Sequence, residues 1–280
     1  MTVDTQVSAE FTKSRDVDWY HPTLTQLPEI SAQVFREYSG IPEDQVLDHI
    51  QRIREKAWEI FPYPCIGIFR FIDFGACQSL VYPSVVERIK EGQTFLDLGC
   101  CFGQDIRKLV FDGAPSDNLM GVDLHAGFHK LGYELFGDKE SLKARFQAQS
   151  IFDDDFLPEL QGKIDIIYMG AFLHLFEPVQ QKVIMRKVSN LSRDQKGSLV
   201  FGRHAGAEEA GQIGGNVGSQ WYVYGHSDST IRELFNGSVE GEWEVNSQLM
   251  PFAQKEIDEK NRSGRFGEKV RMMFFSASRL

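Results

Sequence analysis

Residues 94–105 read TFLDLGCCFGQD, an apolar run that ends in an acid and is followed by Gly99 and Gly103. A buried strand turning through two glycines into a helix brings bare backbone, and the unpaired N–H groups of the helix start, against whatever lies above it. Leu119-Met120-Gly121-Val122-Asp123 follows as a second apolar strand ending in an acid. An acid at that point is placed to accept hydrogen bonds from ribose hydroxyls. The two segments point to a nucleoside-containing cofactor lying across the carboxyl ends of a parallel sheet.

The glycine spacing narrows the cofactor. A dinucleotide fingerprint needs G-x-G-x-x-G, so that the chain can approach a pyrophosphate. Counting from Gly99, its second and third glycine positions hold Cys101 and Gln104, and the turn offers no arginine or lysine. Asp97, Gly99 and Gly103 together resemble instead the first motif of the class I S-adenosylmethionine-dependent methyltransferases. Cys101 stands where that family usually has a further glycine. A nicotinamide-dependent oxidoreductase and a non-catalytic S-adenosylmethionine-binding protein are the alternatives from other classes.

The chain has 280 residues, 42% of them hydrophobic, enough for one α/β core with an appendage. Its formal charge of −10, with no block of Lys and Arg, opposes a nucleic-acid partner. Cysteines at 65, 77, 100 and 101 form no C-x-x-C pair, which speaks against structural zinc and a disulfide framework. The first residues are polar, unlike a signal peptide, and no apolar run approaches the roughly 20 residues a bilayer span needs. These features predict a cytoplasmic protein that binds a small-molecule substrate, has no membrane span, and is compatible with a homodimer.

Periodicity divides the chain. Residues 1–40 carry Trp19-Tyr20-His21-Pro22 in a polar arm of weak pattern. Pro42 opens a helix whose buried stripe is Val46, Ile50, Ile53, Ala57 and Ile60, ended by Phe61-Pro62-Tyr63-Pro64. A mixed segment, 65–74, precedes a helix over 82–90. From Thr94 strands and helices alternate, as a parallel sheet with helices on both faces requires. The spacing predicts helices over 104–111 and 128–136, the latter capped by Gly137, and another after Pro178. Strands are expected near 148–152, over 164–169 and over 198–201. The stretch from Arg203-His204-Ala205-Gly206 through Gly218 reads as glycine-rich and mobile. Thr230 to Glu233 reads as a capping box, and strands over 243–249 and 270–276 close the chain. The expected architecture is an N-terminal arm and helical cap (1–91) on a methyltransferase domain (92–280), Rossmann-like, with a mostly parallel seven-stranded sheet.

The methyltransferase resemblance implies roles residue by residue. Gly99 and Gly103 would shape the loop under the methionine part of S-adenosylmethionine, with Asp97 near its amino group. Asp123 would take the ribose hydroxyls, and Leu124 would lie against the adenine. Ser150, where many relatives have an acid, would meet the adenine amino group, with Ile151 and Phe152 flanking the base. Gly170 and His174, after the fourth strand, would lie near the sulfonium. Each has a plainer alternative: a turn acid for Asp97 and Asp123, a loop hydroxyl for Ser150, a packed imidazole for His174.

Chemistry bears on the acceptor. A phenol, with pKa near 10, needs a base, for which His174 and His226 are candidates. A carboxylate is already ionised and needs none, while Arg203 would hold it by a charge-assisted pair. No convincing metal cluster is present. The segments PYPCIG (62–67), FLDLGCCFGQDIRKLVFDG and GSLVFGRHAG resemble fungal meroterpenoid-pathway methyltransferases. That resemblance implies methyl-esterification of a farnesylated aromatic polyketide acid, with phenolic O-methylation as the runner-up.

Overall fold

The computed structural model describes residues 13–17, 19–214, 222–251 and 270–280. The N-terminal part builds α1 (Glu29–Glu37), α2 (Glu43–Ile60), the single turn α3 (Pro64–Gly67) and α4 (Tyr82–Lys90). Helix α1 lies in the arm whose pattern is weak. It buries only Ser31, Val34 and Phe35, too few to signal a stripe. On α2 the expected Val46, Ile50, Ile53 and Ala57 are buried, and Arg54 is buried with them. Its Nη1 donates to the carbonyls of His21 and Gly67, and its guanidinium lies between the rings of Tyr20 and Phe69. The polar arm is thus anchored by a cation held by carbonyls, two aromatic faces and the Glu55 carboxylate, its Nε having no hydrogen-bond partner.

The rest alternates as expected: β1 (Phe95–Leu98), α5 (Gln104–Phe111), β2 (Leu119–Asp123), α6 (Ala126–Phe136), β3 (Arg145–Ala148), β4 (Ile166–Gly170), α7 (Pro178–Leu191) and β5 (Leu199–Ala207). Then come β6 (Gly211–Gly214), β7 (Val223–Gly225), α8 (Asp228–Asn236), β8 (Trp243–Met250) and β9 (Val270–Arg279). The seven-stranded sheet runs β3-β2-β1-β4-β5-β9-β8. Its first five strands are parallel, and β9 is antiparallel to both β5 and β8. The order reverses between β1 and β4, which opens a crevice at the carboxyl ends of those strands.

Alternation sorts the side chains between two cores. Leu96, Leu98, Ile167, Met169 and Val200 pack against α7, α8 and β9. Phe95, Ile166, Tyr168, Leu199 and Phe201 face α4 and α5. A third cluster joins α1 and α2 to Phe128, Leu131, Leu135 and Phe136 of α6. β4 is buried on both faces as one apolar run, whereas β1 carries the buried Asp97 inside it and β2 ends in Asp123.

Three expectations need correction. Strand β3 ends at Ala148, and Ile151-Phe152 lie in a turn beyond it, since the hydrophobic run continues past the last paired residue. Arg203 to Gly206 are not a mobile stretch: they continue β5 as far as Ala207, paired with β9 along their length. Glycine there is needed for closeness, because a Cβ on Gly206 would meet Met273 at 2.8 Å. The cap of α8 is Ser227, whose side chain accepts from the Thr230 N–H, three residues before the expected box. Residues 215–218 of the glycine-rich stretch and the loop between β8 and β9 lie outside the described residues.

Candidate active site

The turn after β1 is held open by backbone geometry. Gly99 and Gly103 have φ of +75° and +66°, and Cys101 between them stands at +51°. That explains why a glycine is favoured at the cysteine's place: a left-handed conformation costs an L-residue about 1–2 kcal/mol. The N–H groups of Gly99 and Cys100 both donate to the Val122 carbonyl, at 2.8 and 3.0 Å, which fastens the turn to β2.

Asp123 completes the fastening. Its Oδ2 accepts from the Cys101 N–H at 2.9 Å and its Oδ1 from the His125 N–H at 3.1 Å. Each oxygen keeps a second lone pair, so the carboxylate still has capacity for a diol. Beside it Leu124 is 52% exposed, an apolar surface open to a flat ring. The Gln149 N–H donates to the Asp123 carbonyl, which brings the end of β3 alongside.

Asp97 is buried, and its Oδ2 has no hydrogen-bond partner. Gln104, at the start of α5, likewise leaves its Oε1 unsatisfied. Desolvation first, then the neighbouring Asp105 and Asp123, push the Asp97 carboxyl well above the ordinary range. Asp105 accepts from the Ala76 N–H at 2.7 Å and is raised as well, chiefly by burial. Two buried acceptors without donors, with the Asp105 and Asp123 carboxylates as neighbours, suit a cationic donor such as an α-ammonium. Unsatisfied acceptors for a cation, a carboxylate with capacity for a diol and an exposed apolar side chain together fit S-adenosylmethionine.

The remaining predicted residues divide. Gly170 ends β4, the strand next to β1, and a Cβ there would strike the Tyr168 hydroxyl. The next residue, Ala171, has φ of +50°, so strained backbone occurs at the ends of both β1 and β4. Gly103 is required by its own fold neighbours, since a Cβ would run into the Phe146 ring. At Gly99 a Cβ would lie 2.6 Å from the Phe172 ring. The Ser150 hydroxyl accepts from the Phe152 N–H at 3.2 Å, closing its own turn. Ile151 is buried in the core, and Phe152 packs edge-on against Phe176.

His174 sits in a short turn after β4, its ring 5.9 Å from that of His204. His226 is buried, with Nε2 2.5 Å from Gln181 Oε1 and Nδ1 3.0 Å from the Thr230 hydroxyl. Gln181 uses its amide N–H on the Phe176 carbonyl, so its oxygen faces His226 and the Nε2 must carry the proton. Nδ1 then accepts from Thr230, and both nitrogens are taken. Burial lowers the His226 imidazole to about 4. Arg203 lies across from Gly170 in the strand register. Its Nη1 donates to Gln78 at 2.6 Å, and its Nη2 stands 3.8 Å from Asp73.

Sequence reasoning overlooked Gln104, Asp105, His204 and Tyr63. The first two follow Gly103 directly and look like ordinary helix-start polar residues. Phe61 and Tyr63 flank His125, with ring centroids 5.3 and 6.1 Å away, so the chain after α2 lies over the turn following β2. Burial, then Asp123, raises the Tyr63 phenol. Its sequence signal is the PYPCIG segment, which also ends α2.

Residues 19–72 match the family model described as the meroterpenoid methyltransferase N-terminal domain. The O-methyltransferase atr3 of Stereocaulon alpinum is 38% identical over 242 residues, covering 84% of this chain and 70% of that protein. The chain belongs to the meroterpenoid-methyltransferase family of fungal O-methyltransferases. The fungal O-methyltransferase phiE is 39% identical over 238 residues, 83% of this chain and 79% of its own length. The Asnovolin E/Chermesin D methyltransferase nvfJ of Aspergillus novofumigatus is 46% identical over 182 residues, 64% of this chain and 66% of that one.

Among solved structures, the [4+2]-cyclase SpnF shares the fold with a TM-score of 0.52 at 14% identity, over 71% of this chain and 81% of that one. A Haemonchus contortus phosphoethanolamine N-methyltransferase 2 complexed with S-adenosyl-L-methionine gives 0.50 at 13% identity, over 90% and 60%. This family member is an S-adenosylmethionine-dependent methyltransferase of secondary metabolism. No helix among its described residues is long and apolar enough to cross a membrane.

Proposed function

We propose that this methyltransferase methyl-esterifies the carboxylate of a farnesylated aromatic polyketide acid. The observation that favours the reading is the state of His226: its neutral imidazole has both nitrogens engaged, which takes away one of the two candidate bases a phenol would need. A carboxylate acceptor, ionised above about pH 4, needs no such base. The terpenoid part of the reading is supported by the family model over residues 19–72.

When bound, the cofactor supplies an electrophilic methyl group on a sulfonium. The protein's part is alignment and exclusion of water. We assign Asp97 and Gln104 to the donor's ammonium, Asp123 to its ribose hydroxyls, and Leu124 with Ile151 and Phe152 to the adenine. Gly99, Gly103 and Gly170 give the backbone its close approach, and Ser150 retains an O–H to donate. His174 faces the acceptor. Arg203 is read as a strut between β5 and the 73–78 segment rather than an acceptor clamp, since Gln78 and Asp73 already engage it. Residues 1–91 act as the cap, with Phe61 and Tyr63 as its wall over the crevice.

The test is incubation with S-adenosylmethionine and prenylated aromatic acids that carry both a free carboxyl and a phenol, with tandem mass spectrometry to locate the methyl. The expected product is the methyl ester. Transfer to the phenol alone overturns the reading.

A further inference from the structure

Tyr168 lies opposite Asp97 in the register of β4 and β1, and opposite Phe201 in that of β4 and β5. Residues paired across parallel strands share a face, and each strand returns to that face at every second residue. Asp97, Tyr168 and Arg203 therefore project from one side of the sheet, the side covered by α4 and α5. They stand level with the carboxyl ends of β1 and β4.

Two polar groups converge there. The Tyr168 hydroxyl and Arg203 Nε each lie 2.7 Å from the point that a Cβ on Gly75 would occupy, so they are close together. The hydroxyl also stands against the place of a Cβ on Gly170, the last residue of β4. Burial, then the Asp105 charge, raises the Tyr168 phenol, so it keeps its proton and donates. Arg203 gives Nη1 to Gln78 and holds Nη2 3.8 Å from Asp73, out of five N–H donors in a fixed fork. The strut engages the terminal nitrogens and leaves the Nε edge beside the Tyr168 hydroxyl.

Acids surround this pair. Asp97 and Asp105 act on Tyr168, and Asp73 lies at the guanidinium. Alone, such surroundings select for net positive charge. The amino-acid end of S-adenosylmethionine is a zwitterion, and its carboxylate needs donors of its own among those acids. Its ammonium nitrogen and carboxyl carbon hang on one carbon atom. An ammonium at Asp97 and Gln104 therefore brings the carboxylate to their immediate neighbours, and Tyr168 is the residue opposite Asp97.

We propose that Tyr168 and Arg203 recognise the α-carboxylate of the methyl donor, the Tyr168 O–H and the Arg203 Nε–H each donating to it. Arg203 is then a cofactor-binding residue as well as a strut, and Gly75 is the close approach that lets the two donors meet. The proposal rests on the assignment of the ammonium to Asp97 and Gln104, and its test separates the two.

The experiment is calorimetric titration of the full chain with S-adenosylhomocysteine and with its decarboxylated analogue, adenosylthiopropylamine, which keeps the ammonium and the nucleoside. The wild type is expected to prefer S-adenosylhomocysteine by about 10- to 100-fold, as charge-assisted bonds to the carboxylate provide. Tyr168→Phe, which removes one oxygen, should weaken S-adenosylhomocysteine about 10-fold and leave the analogue's Kd within about twofold. Arg203→Gln should go further, since without the cation the acids favour the analogue: the preference is lost or reversed. Thermal unfolding of each variant reports whether it folds, and Tyr168→Phe decides the matter if Arg203→Gln does not. A wild type indifferent to the carboxylate, or either variant folded and keeping the wild-type preference, overturns the proposal. Asp97→Asn tests the ammonium separately, because both ligands carry it and both should weaken alike. If Asp97→Asn weakens neither while Tyr168→Phe loses the preference, the carboxylate site stands and the ammonium assignment falls.

Discussion

The guanidinium of Arg107 grips the carboxylate of Asp138 with two bonds, Nε to Oδ2 at 2.7 Å and Nη2 to Oδ1 at 3.0 Å, almost wholly out of solvent. The same arginine donates through Nη1 to the Phe102 carbonyl in the cofactor turn, and Tyr38, at the end of α1, donates its hydroxyl to Asp138 at 2.8 Å. One buried pair therefore ties the turn, the end of α6 and the N-terminal cap together. Removing one partner leaves an uncompensated charge. Arg107→Ala and Asp138→Ala should each cost about 3–5 kcal/mol in urea unfolding, and the double change to Met and Leu much less than the sum.

Cys101 sits at a left-handed backbone position. Cys101→Gly should keep or modestly raise stability, by up to about 1 kcal/mol, and leave S-adenosylhomocysteine affinity within severalfold. Cys101→Val, β-branched at positive φ, should lower both. Thermal melts and calorimetric titration distinguish these outcomes.

With Asp97 assigned to the donor's ammonium, as proposed above, cofactor binding is expected to be proton-linked. Its carboxyl is raised in the folded protein, so the folded state holds the proton more tightly than the unfolded chain. Its contribution to stability is fully present below the unfolded value near pH 4 and is lost as pH rises through the folded value. An ammonium beside it favours the ionised form, so binding should release a proton. Calorimetry in buffers of differing ionisation enthalpy measures that release. Asp97→Asn should abolish it, stabilise the cofactor-free protein at neutral pH, and weaken S-adenosylhomocysteine binding.

His226 runs with the opposite sign. Burial holds its imidazole at about 4, below the unfolded value near 6.5. Stability should therefore fall as pH drops from about 6.5 toward 4, because the unfolded chain takes up the proton first. His226→Phe should remove that slope and cost about 1–3 kcal/mol through Gln181 left unpaired, while methyl transfer at pH 7 persists. A steep loss of turnover in a folded variant would restore His226 as a base.

The elements legible in the sequence are those where local pattern and tertiary demand agree. Helix α5 and the helix at Tyr82–Lys90 begin and end where the apolar spacing puts them, and Gly137 caps α6 with a left-handed φ of 67° as its type suggests. Helix α1 was illegible because three buried residues in nine do not make a period. The extension of β5 through Arg203 to Ala207 was hidden for a different reason: its glycines and polar residues are strand-compatible only with β9 beside them.

The chain's order of residues alone determined a parallel sheet with a glycine turn and two strand-end acids, and with them the cofactor class, because those depend on neighbours a few positions apart. Which acceptors stay unsatisfied was decided only when the chain closed. Asp97 and Gln104 lack donors, His226 has two partners and His204 none because of side chains contributed from distant segments. Desolvation and hydrogen bonding are properties of the packed surroundings, and no local pattern encodes them.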